Sequence, residues 1–253
     1  MTAQILLTGG TGTLGRHVLP LLRDAGLKVR VLSRRAHDNT DGVEYVTGDL
    51  LKNEGVERAV EGVETVLHLA GGAKGDDDAA RNLAQAAARA GVRHMVLISV
   101  VGADRVPLGY MRAQLRAEEA LIDSGVPWTV LRAAQFHDLV FGVAQKMAKL
   151  PVVPAPGGLR FQPVDPRDVA ARLVELALGA PAGRVPDLVG PKVYRIDELV
   201  RGYLEAAGKH RPVLPVRMPG RAGRAYRDAR NLSLEGADTG ELTWEDFLAA
   251  RAA

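Results

Sequence analysis

Short apolar runs alternate with amphipathic stretches through most of this chain. Ile5, Leu6 and Leu7 form a run of buried-strand type, and Arg16 to Ala25 follows with helical spacing until Gly26 stops it. Lys28 to Leu32 alternates and β-branches as a second strand. Val43 to Val46 predicts a third, before a helix from Leu51 to Glu61. Val63 to Leu69 is a fourth, before a helix from Ala79 to Ala90 whose acidic entry, Asp76-Asp77-Asp78, suits the positive end of the helix dipole. Val92 to Val100 is a fifth, before a long helix ending near Ser124, and Pro127 to Leu131 a sixth. Strands and helices in this alternation predict an α/β fold: a doubly wound parallel sheet, Rossmann-like, with ligands at the carboxyl ends of its strands. Pro20 sits inside the first helix, where it removes a backbone donor and predicts a kink.

The pattern then changes. Leu139 to Leu150 is helical, Pro151 to Gly158 reads as a loop with three prolines and two glycines, and Arg160 to Val164 as a short strand. Asp165-Pro166-Arg167-Asp168 has the form of a helix start, which makes its acids structural. Pro186 to Val193 is a short strand and loop, Asp197 to Ala207 a helix and Val213 to Val216 another short strand. Thr243-Trp244-Glu245-Asp246 is a capping box for a last helix. Between them Arg217, Arg221, Arg224, Arg227 and Arg230 form a drifting basic stripe. Only Tyr226 interleaves with it, which weighs against a nucleic-acid surface.

The glycines after the first strand carry the most specific chemistry. Gly10-Thr11-Gly12-Thr13-Leu14-Gly15 fits G-x-G-x-x-G between a strand and a helix, the context of a dinucleotide fingerprint. Glycine permits the tight turn, and a missing side chain lets the backbone approach a pyrophosphate at the helix N-terminus. Roughly 20 residues on, where such a fold meets the adenosine ribose, stand Ser33-Arg34-Arg35. Asp or Glu there would suit NAD. Two arginines suit a 2′-phosphate, so NADP(H) is preferred over NAD(H). Gly48-Asp49-Leu50 follows the third strand, where Asp49 can accept from an adenine amino group or cap the next helix. Ala70-Gly71-Gly72 allow close approach of a cofactor after the fourth strand, and His68 reads as a satisfied core histidine. Ser99 lies at the carboxyl end of the fifth strand, on the ligand edge.

Composition narrows the classes. With 253 residues, 47% hydrophobic and 25% charged, the chain has globular averages and enough length for a large core. A net charge of +3 specifies no nucleic-acid or membrane partner. No cysteine is present, so disulfides and thiolate chemistry are excluded. The six histidines show no paired ligand spacing, and no metal is expected. No G-x-S-x-G supports a hydrolase. No apolar run reaches a membrane span and no leader pattern precedes the first strand, so a cytoplasmic protein is expected.

Together, T-G-G-T-G-T-L-G, V-L-S-R-R, G-D-L, H-L-A-G, L-I-S-V-V-G-A, P-W-T-V-L-R-A-A-Q-F and F-Q-P-V-D-P-R-D-V-A resemble the atypical short-chain dehydrogenase/reductases of the NmrA-like, NAD(P)H-binding group. The resemblance spans essentially the whole chain. It implies a single domain over 1–253, with a core to about residue 150 and a small C-terminal substrate lobe over about 151–253, interleaved with the core. It implies cofactor contacts at Gly9, Gly12 and Gly15, at Arg34, and around Asp49 and Ala70. Neighbouring contacts are then expected at Thr11, Thr13, Leu14, Ser33, Arg35, Leu50, Gly71 and Gly72. In the wider family a serine and a Tyr-x-x-x-Lys pair do the acid–base work of hydride transfer. Ser99 and Tyr110 match, but the lysine position holds Gln114, which carries no charge. A pocket of Ser99, Val100, Tyr110, Gln135, Phe136 and Phe161 is expected over the nicotinamide, apolar enough to favour a neutral or aromatic ligand over a phosphorylated one. Three functions follow from the resemblance. The first is an NAD(P)H-dependent oxidoreductase acting on a quinone, ketone or conjugated carbonyl. The second is a non-catalytic NADP(H)-binding redox sensor, and the third a sugar-nucleotide epimerase or dehydratase. A monomer or homodimer is expected.

Overall fold

The structure, a computed structural model, describes residues 4–72 and 74–252. In chain order it runs β1 (Gln4–Thr8), α1 (Gly15–Asp24), β2 (Lys28–Ser33), β3 (Val43–Thr47), α2 (Val56–Val60), β4 (Thr65–His68), α3 (Asp76–Arg89), β5 (His94–Val100), α4 (Gly109–Ile122), β6 (Trp128–Ala133) and α5 (His137–Met147). It continues through β7 (Val153–Pro156), β8 (Arg160–Phe161), α6 (Pro166–Leu178), β9 (Gly183–Arg184), β10 (Leu188–Val189), β11 (Tyr194–Arg195), α7 (Ile196–Ala206), β12 (Val213–Val216), α8 (Gly220–Arg227), β13 (Asp238–Thr239) and α9 (Trp244–Ala252). The central sheet has the order β13-β10-β6-β5-β4-β1-β2-β3, with β9 also beside β6. The pairings of β1 with β2 and β4, of β2 with β3, of β4 with β5 and of β6 with β9 and β10 are parallel. This is the Rossmann-like sheet that the alternation predicts.

The chain forms two compact units. The first comprises residues 1–99, 109–131 and 170–185, and the second 100–108, 132–169 and 186–253. In the first, the apolar faces of α2 and α3 (Val56, Ala59, Val60, Ala80, Leu83, Ala84, Ala87) pack with Leu6, Val66 and Met95 of the strands. In the second, an aromatic core forms where Tyr194, Tyr203, Trp244 and Phe247 meet α5 and α7. Trp244 stacks on Phe247 at 5.4 Å and donates its indole N–H to the Leu199 carbonyl at 3.2 Å.

Several boundaries move, each for a local reason. The helix expected over 51–61 shrinks to α2, because Asn53 and Gly55 take positive φ (57° and 70°) and end a separate turn first. The Asp49 carboxylate caps that turn, accepting from the Leu51 and Lys52 N–H groups at 2.9 and 3.3 Å. The strand expected from Val92 starts at His94, since the Val92 N–H closes α3 against the Ala87 carbonyl. The loop expected over 151–158 contains β7, parallel to β12. Val153 and Gly157 donate to Pro212 and Val216, and Pro154 and Pro156 fall on the alternate positions, where no donor is needed. Pro20 lies within a continuous α1 on its exposed face, and Arg16, whose carbonyl it leaves unpaired, is exposed to water too.

Two expectations about caps hold in detail. Asp165 accepts the Arg167 N–H at 2.9 Å at the start of α6, and the Thr243 and Asp246 side chains cap α9 reciprocally. Asp168 has a longer reach: it accepts the Glu241 and Leu242 N–H groups at 3.0 and 3.2 Å, fastening the segment before α9.

Candidate functional site

The glycine turn sits where β1 hands over to α1. Gly9 has φ +71°, and a Cβ there would lie 2.7 Å from the Ala70 nitrogen, so the turn rests directly on the end of β4. Gly12 donates to the Gly9 carbonyl at 2.9 Å. A Cβ on Gly15 would stand 2.2 Å from the Gly9 carbonyl oxygen, which explains the third glycine: it lets α1 seat on the turn. No side chain caps α1, and Thr11 and Gly12 are exposed, so the helix start is open to an anion. Thr13 and the buried Leu14 complete the turn.

The rest of this edge is arranged by register. Thr8 pairs with Leu32 and with His68, so the residues after β1, β2 and β4 emerge side by side. Arg34 and Arg35 are exposed, and among the described residues their side chains have no partner; Ser33 accepts the Arg35 N–H at 3.2 Å. Beyond β3, Asp49 is engaged in its own turn, and the Leu50 carbonyl takes an amide hydrogen from Asn82 at 2.7 Å. Behind Ala70, the Thr8 hydroxyl accepts the Leu69 and Ala70 N–H groups at 3.2 Å each. Its own hydrogen is therefore left for His68 Nδ1, at 2.6 Å. Burial holds His68 neutral, with its pKa lowered to about 4. It is the core histidine that the sequence predicts. The glycine cradle, the uncapped helix start and the two unpaired arginines all fit a nicotinamide dinucleotide, with Gly71 and Gly72 beyond β4 leaving room beside it.

The three expected acid–base residues lie in the same unit but are differently engaged. Ser99 is 2% exposed, and its hydroxyl donates to the Glu118 carboxylate. Gln114 donates from Nε2 to Asp76 Oδ2 at 2.5 Å, while Asp76 Oδ1 accepts the Gly72 N–H at 2.7 Å. Burial raises the Asp76 pKa, and the Gly72 N–H works against it. Tyr110, one turn before Gln114, is pushed up to about 12, first by loss of solvent around its hydroxyl and then by the Asp76 charge. With 45% of the residue exposed, water moderates both effects; the direction matters, since no cation pulls it down. Asp76 and Glu118 are the partners that sequence reasoning missed. Glu118 had a signal: Tyr110, Gln114 and Glu118 are spaced by four along α4 and so share a face.

Val100, Gln135, Phe136 and Phe161 belong to the second unit. There Phe136 bridges Val164 in parallel fashion, and Phe161 lies 5.5 Å from the Tyr226 ring. Both polar atoms of the Gln135 side chain are buried, with no hydrogen-bond partner among the described residues. An amide left so is available to a ligand. Among the described residues no group of histidines and acids could hold a metal, and no helix is long and apolar enough to cross a membrane.

A family profile described as NAD(P)H-binding matches residues 9–178. Among relatives, the chain is 38% identical over 196 residues to the (4-alkanoyl-5-oxo-2,5-dihydrofuran-3-yl)methyl phosphate reductase of Streptomyces griseus, covering 75% of this chain and 68% of that protein. It is 30% identical over 214 residues to the NAD(P)H azoreductase of Xenophilus azovorans, covering 81% and 74%. The structure of the Escherichia coli quinone oxidoreductase QOR2 with NADPH superposes with a TM-score of 0.81, over 98% of this chain and 99% of that one, at 20% identity, a likeness of fold. Both of these relatives are named as reductases, one of them for NAD(P)H, and this chain, with its fingerprint turn at the head of an uncapped α1, belongs to the NAD(P)H-binding family of atypical short-chain dehydrogenase/reductases.

Proposed function

We propose that the chain is an NADPH-dependent reductase whose acceptor is a quinone, enone or related conjugated carbonyl. The observation that carries this reading is the Gln114–Asp76 hydrogen bond. Where a simple ketone reductase needs a cation to make its tyrosine a usable acid, this site sets an amide held by a carboxylate. A bound nicotinamide supplies hydride, two electrons with one hydrogen nucleus. Reduction of a quinone to its hydroquinone would need one proton besides the hydride, and the product oxygens are acidic enough that water would suffice, with no strong acid from the protein. A dialkyl ketone would need a strong acid at the developing alkoxide, which Tyr110 with its raised pKa does not provide. The relatives point the same way: one substrate, by its name, is the phosphate ester of a conjugated lactone, and another relative is an azoreductase.

In this reading Gly9 to Gly15 hold the pyrophosphate, and Arg34 and Arg35 the 2′-phosphate. Asp49, Leu50 and Ala70 to Gly72 border the adenosine and nicotinamide sides. Tyr110 and Gln114, one turn apart on α4, would offer hydroxyl and amide hydrogens to a ribose, and Ser99 holds α4 through Glu118. Within the second unit, Val100, Phe136 and Phe161 are apolar, and the Gln135 amide is a buried donor without a partner among the described residues, a combination suited to a neutral ligand.

Titration of the purified protein with NADPH and NADH, followed by a quinone, enone and ketone panel in the same cuvette, tests this. Turnover of quinone or enone with little of the ketone supports it, and tight binding with no turnover across the panel overturns it. That outcome would favour the sensor reading, which the same uncharged site also supports. For the cofactor, Arg34→Ser is expected to raise the NADPH dissociation constant about tenfold and leave NADH nearly unchanged, one charge-assisted contact being lost. An equal effect on both would remove Arg34 from the 2′-phosphate.

A further inference from the structure

One charged group on the edge assigned to the cofactor has no opposite charge. Asp76 opens α3 and is buried, 7% exposed, yet among the described residues no lysine, arginine or histidine pairs with it. Its oxygens are held by N–H groups instead: Oδ1 by Gly72 at 2.7 Å and Oδ2 by Gln114 Nε2 at 2.5 Å. With a donor on each oxygen, the geometry satisfies the carboxylate rather than the acid. Burial and the Asp77 charge oppose ionisation, while the two donors and the positive end of α3 favour it. The basic side chains of the same segments are engaged or in water. Arg116 binds Asp77 at 2.7 Å, Arg81 binds Asp78 at 2.6 Å, and Lys74 and Arg112 are exposed.

A buried charge without a counter-charge is costly, and such groups cluster at functional sites. Asp76 stands at such a place, wholly within the first unit. Gly72 belongs to the segment that leaves β4, where the Gly9 turn rests on Ala70. Gln114 and Tyr110 are one turn apart on α4, and the Tyr110 pKa, raised first by burial, is raised further by the Asp76 charge. Gly71 and Gly72 add no side chain over the carboxylate: a Cβ on the first would stand 3.6 Å from Oδ2, and one on the second 3.8 Å from Oδ1. A metal ion does not fit as the missing cation, since among the described residues no group of histidines and acids could hold one.

Loss of hydride to the acceptor, two electrons with one hydrogen nucleus, converts a neutral dihydronicotinamide into a ring with one positive charge, and the acceptor takes one proton from water. We propose that Asp76 is the counter-ion of that cationic ring, so that its carboxylate favours the oxidised cofactor over the reduced one. The effect is Coulombic and needs no direct contact. An ammonium at position 114 would do the reverse, repelling the cationic ring and neutralising Asp76. The proposal rests on the reductase reading and deepens it in two ways. Asp76 makes the bound dihydronicotinamide a stronger reductant, which suits an acceptor reduced without a strong acid. It also makes NADP+ a strong competitor of NADPH, so that the ratio of the two regulates the site.

Two substitutions test the charge by different routes. Asp76→Asn removes it and keeps the shape, because the Gln114 amide can turn to offer its oxygen to the new N–H. Gln114→Lys neutralises the carboxylate with Asp76 still in place. Calorimetric titration of the wild type and of each variant with NADP+ and NADPH gives the deciding quantity, the NADPH dissociation constant divided by that of NADP+. Both substitutions are expected to lower this ratio about tenfold, chiefly by weakening NADP+. The pyrophosphate and 2′-phosphate are common to both cofactors, so their contacts cancel in it. A loss of affinity equal for the two forms would mean that Asp76 only shapes the loop, and would overturn the counter-ion. In the cofactor-free protein, Asp76→Asn is expected to move the Tyr110 step down from about 12 in an absorbance titration, and an unmoved step would overturn the charge assigned to Asp76. A shifted ratio with no acceptor reduced supports the counter-ion, and the reductase reading alone has then failed. Binding of neither cofactor by the wild type overturns both.

Discussion

Gly12 and Gly15 stand in one turn, yet a methyl group has a different effect at each. At Gly15 the added carbon would lie 2.2 Å from the Gly9 carbonyl oxygen and 2.5 Å from the Gly10 Cα, so α1 would have to lift off the turn. At Gly12 its nearest neighbour is the Gly9 oxygen at 3.2 Å, and the residue is exposed on the side where a pyrophosphate would lie. We therefore expect Gly15→Ala to lower stability by about 1–3 kcal/mol as well as weakening cofactor binding. Gly12→Ala should melt within a few degrees of the wild type and bind NADPH at least about tenfold more weakly. Thermal melts with and without NADPH distinguish the two, and unimpaired NADPH binding by Gly12→Ala would take the turn out of the cofactor site. The same reasoning applies to Gln114. Lysine there would meet the Asp76 carboxylate and bring a cation within a turn of Tyr110, so the tyrosine pKa should fall from about 12. Gln114→Lys is expected to shift one tyrosine step downward in an absorbance titration and to increase ketone turnover more than quinone turnover. An unchanged ketone-to-quinone ratio would show that proton supply does not limit this site.

The legibility of the elements followed the range of their interactions. The alternating pattern marked β1 to β6 and their helices because each buries a continuous apolar run, a local property of the sequence. The strands β7, β9, β11 and β13 were hidden because partners far along the chain define them: Val153 pairs with Val213, and Thr129 with Gly183. Within the site, the glycine turn and Arg34-Arg35 were legible as a local motif, whereas the Ser99–Glu118 and Gln114–Asp76 bonds join residues 19 and 38 positions apart. One element pair also sets a pH response. His68 ties β4 to β1 only while neutral, because its Nδ1 must accept the Thr8 hydrogen. Its pKa is about 4 in the fold against 6.5 for the free side chain, so between those values the unfolded chain takes up a proton that the fold refuses. This contribution is full above pH 6.5 and is lost as pH falls toward 4, about 3 kcal/mol over the whole window. Denaturant unfolding of the wild type and His68→Asn from pH 7 to 4.5 should show a steeper loss in the wild type. Parallel curves would mean that His68 is not the titrating group.

At the scale of the whole molecule, the chain's route decides what can be removed. The first unit is completed by residues 170–185, which return after the segments 132–169 of the second. That return brings the C-terminal part of α6, with Ala170 and Leu173 fully buried and Val174 and Ala177 nearly so. It also brings β9, where Gly183 and Arg184 pair with Thr129 and Val130, and the Ala182 N–H, which meets the Thr129 hydroxyl at 2.9 Å. A fragment ending near residue 150 keeps the glycine turn, both arginines and every residue of the acid–base set. It loses this cover, and the buried leucine and valine alone are worth about 1.5–3 kcal/mol each. That is a large part of an ordinary folding margin of about 5–15 kcal/mol. The same fragment retains 100–108 and 132–150, segments whose own unit is completed only by 186–253. We therefore expect residues 1–150 to show no cooperative thermal transition and no saturable NADPH binding, although they contain the complete fingerprint. A sharp melt with retained binding would make the first part of the chain a self-sufficient cofactor domain. Failure of the fragment, with both properties intact in the full chain, would show that the dinucleotide site depends on a strand and a helix contributed from beyond it.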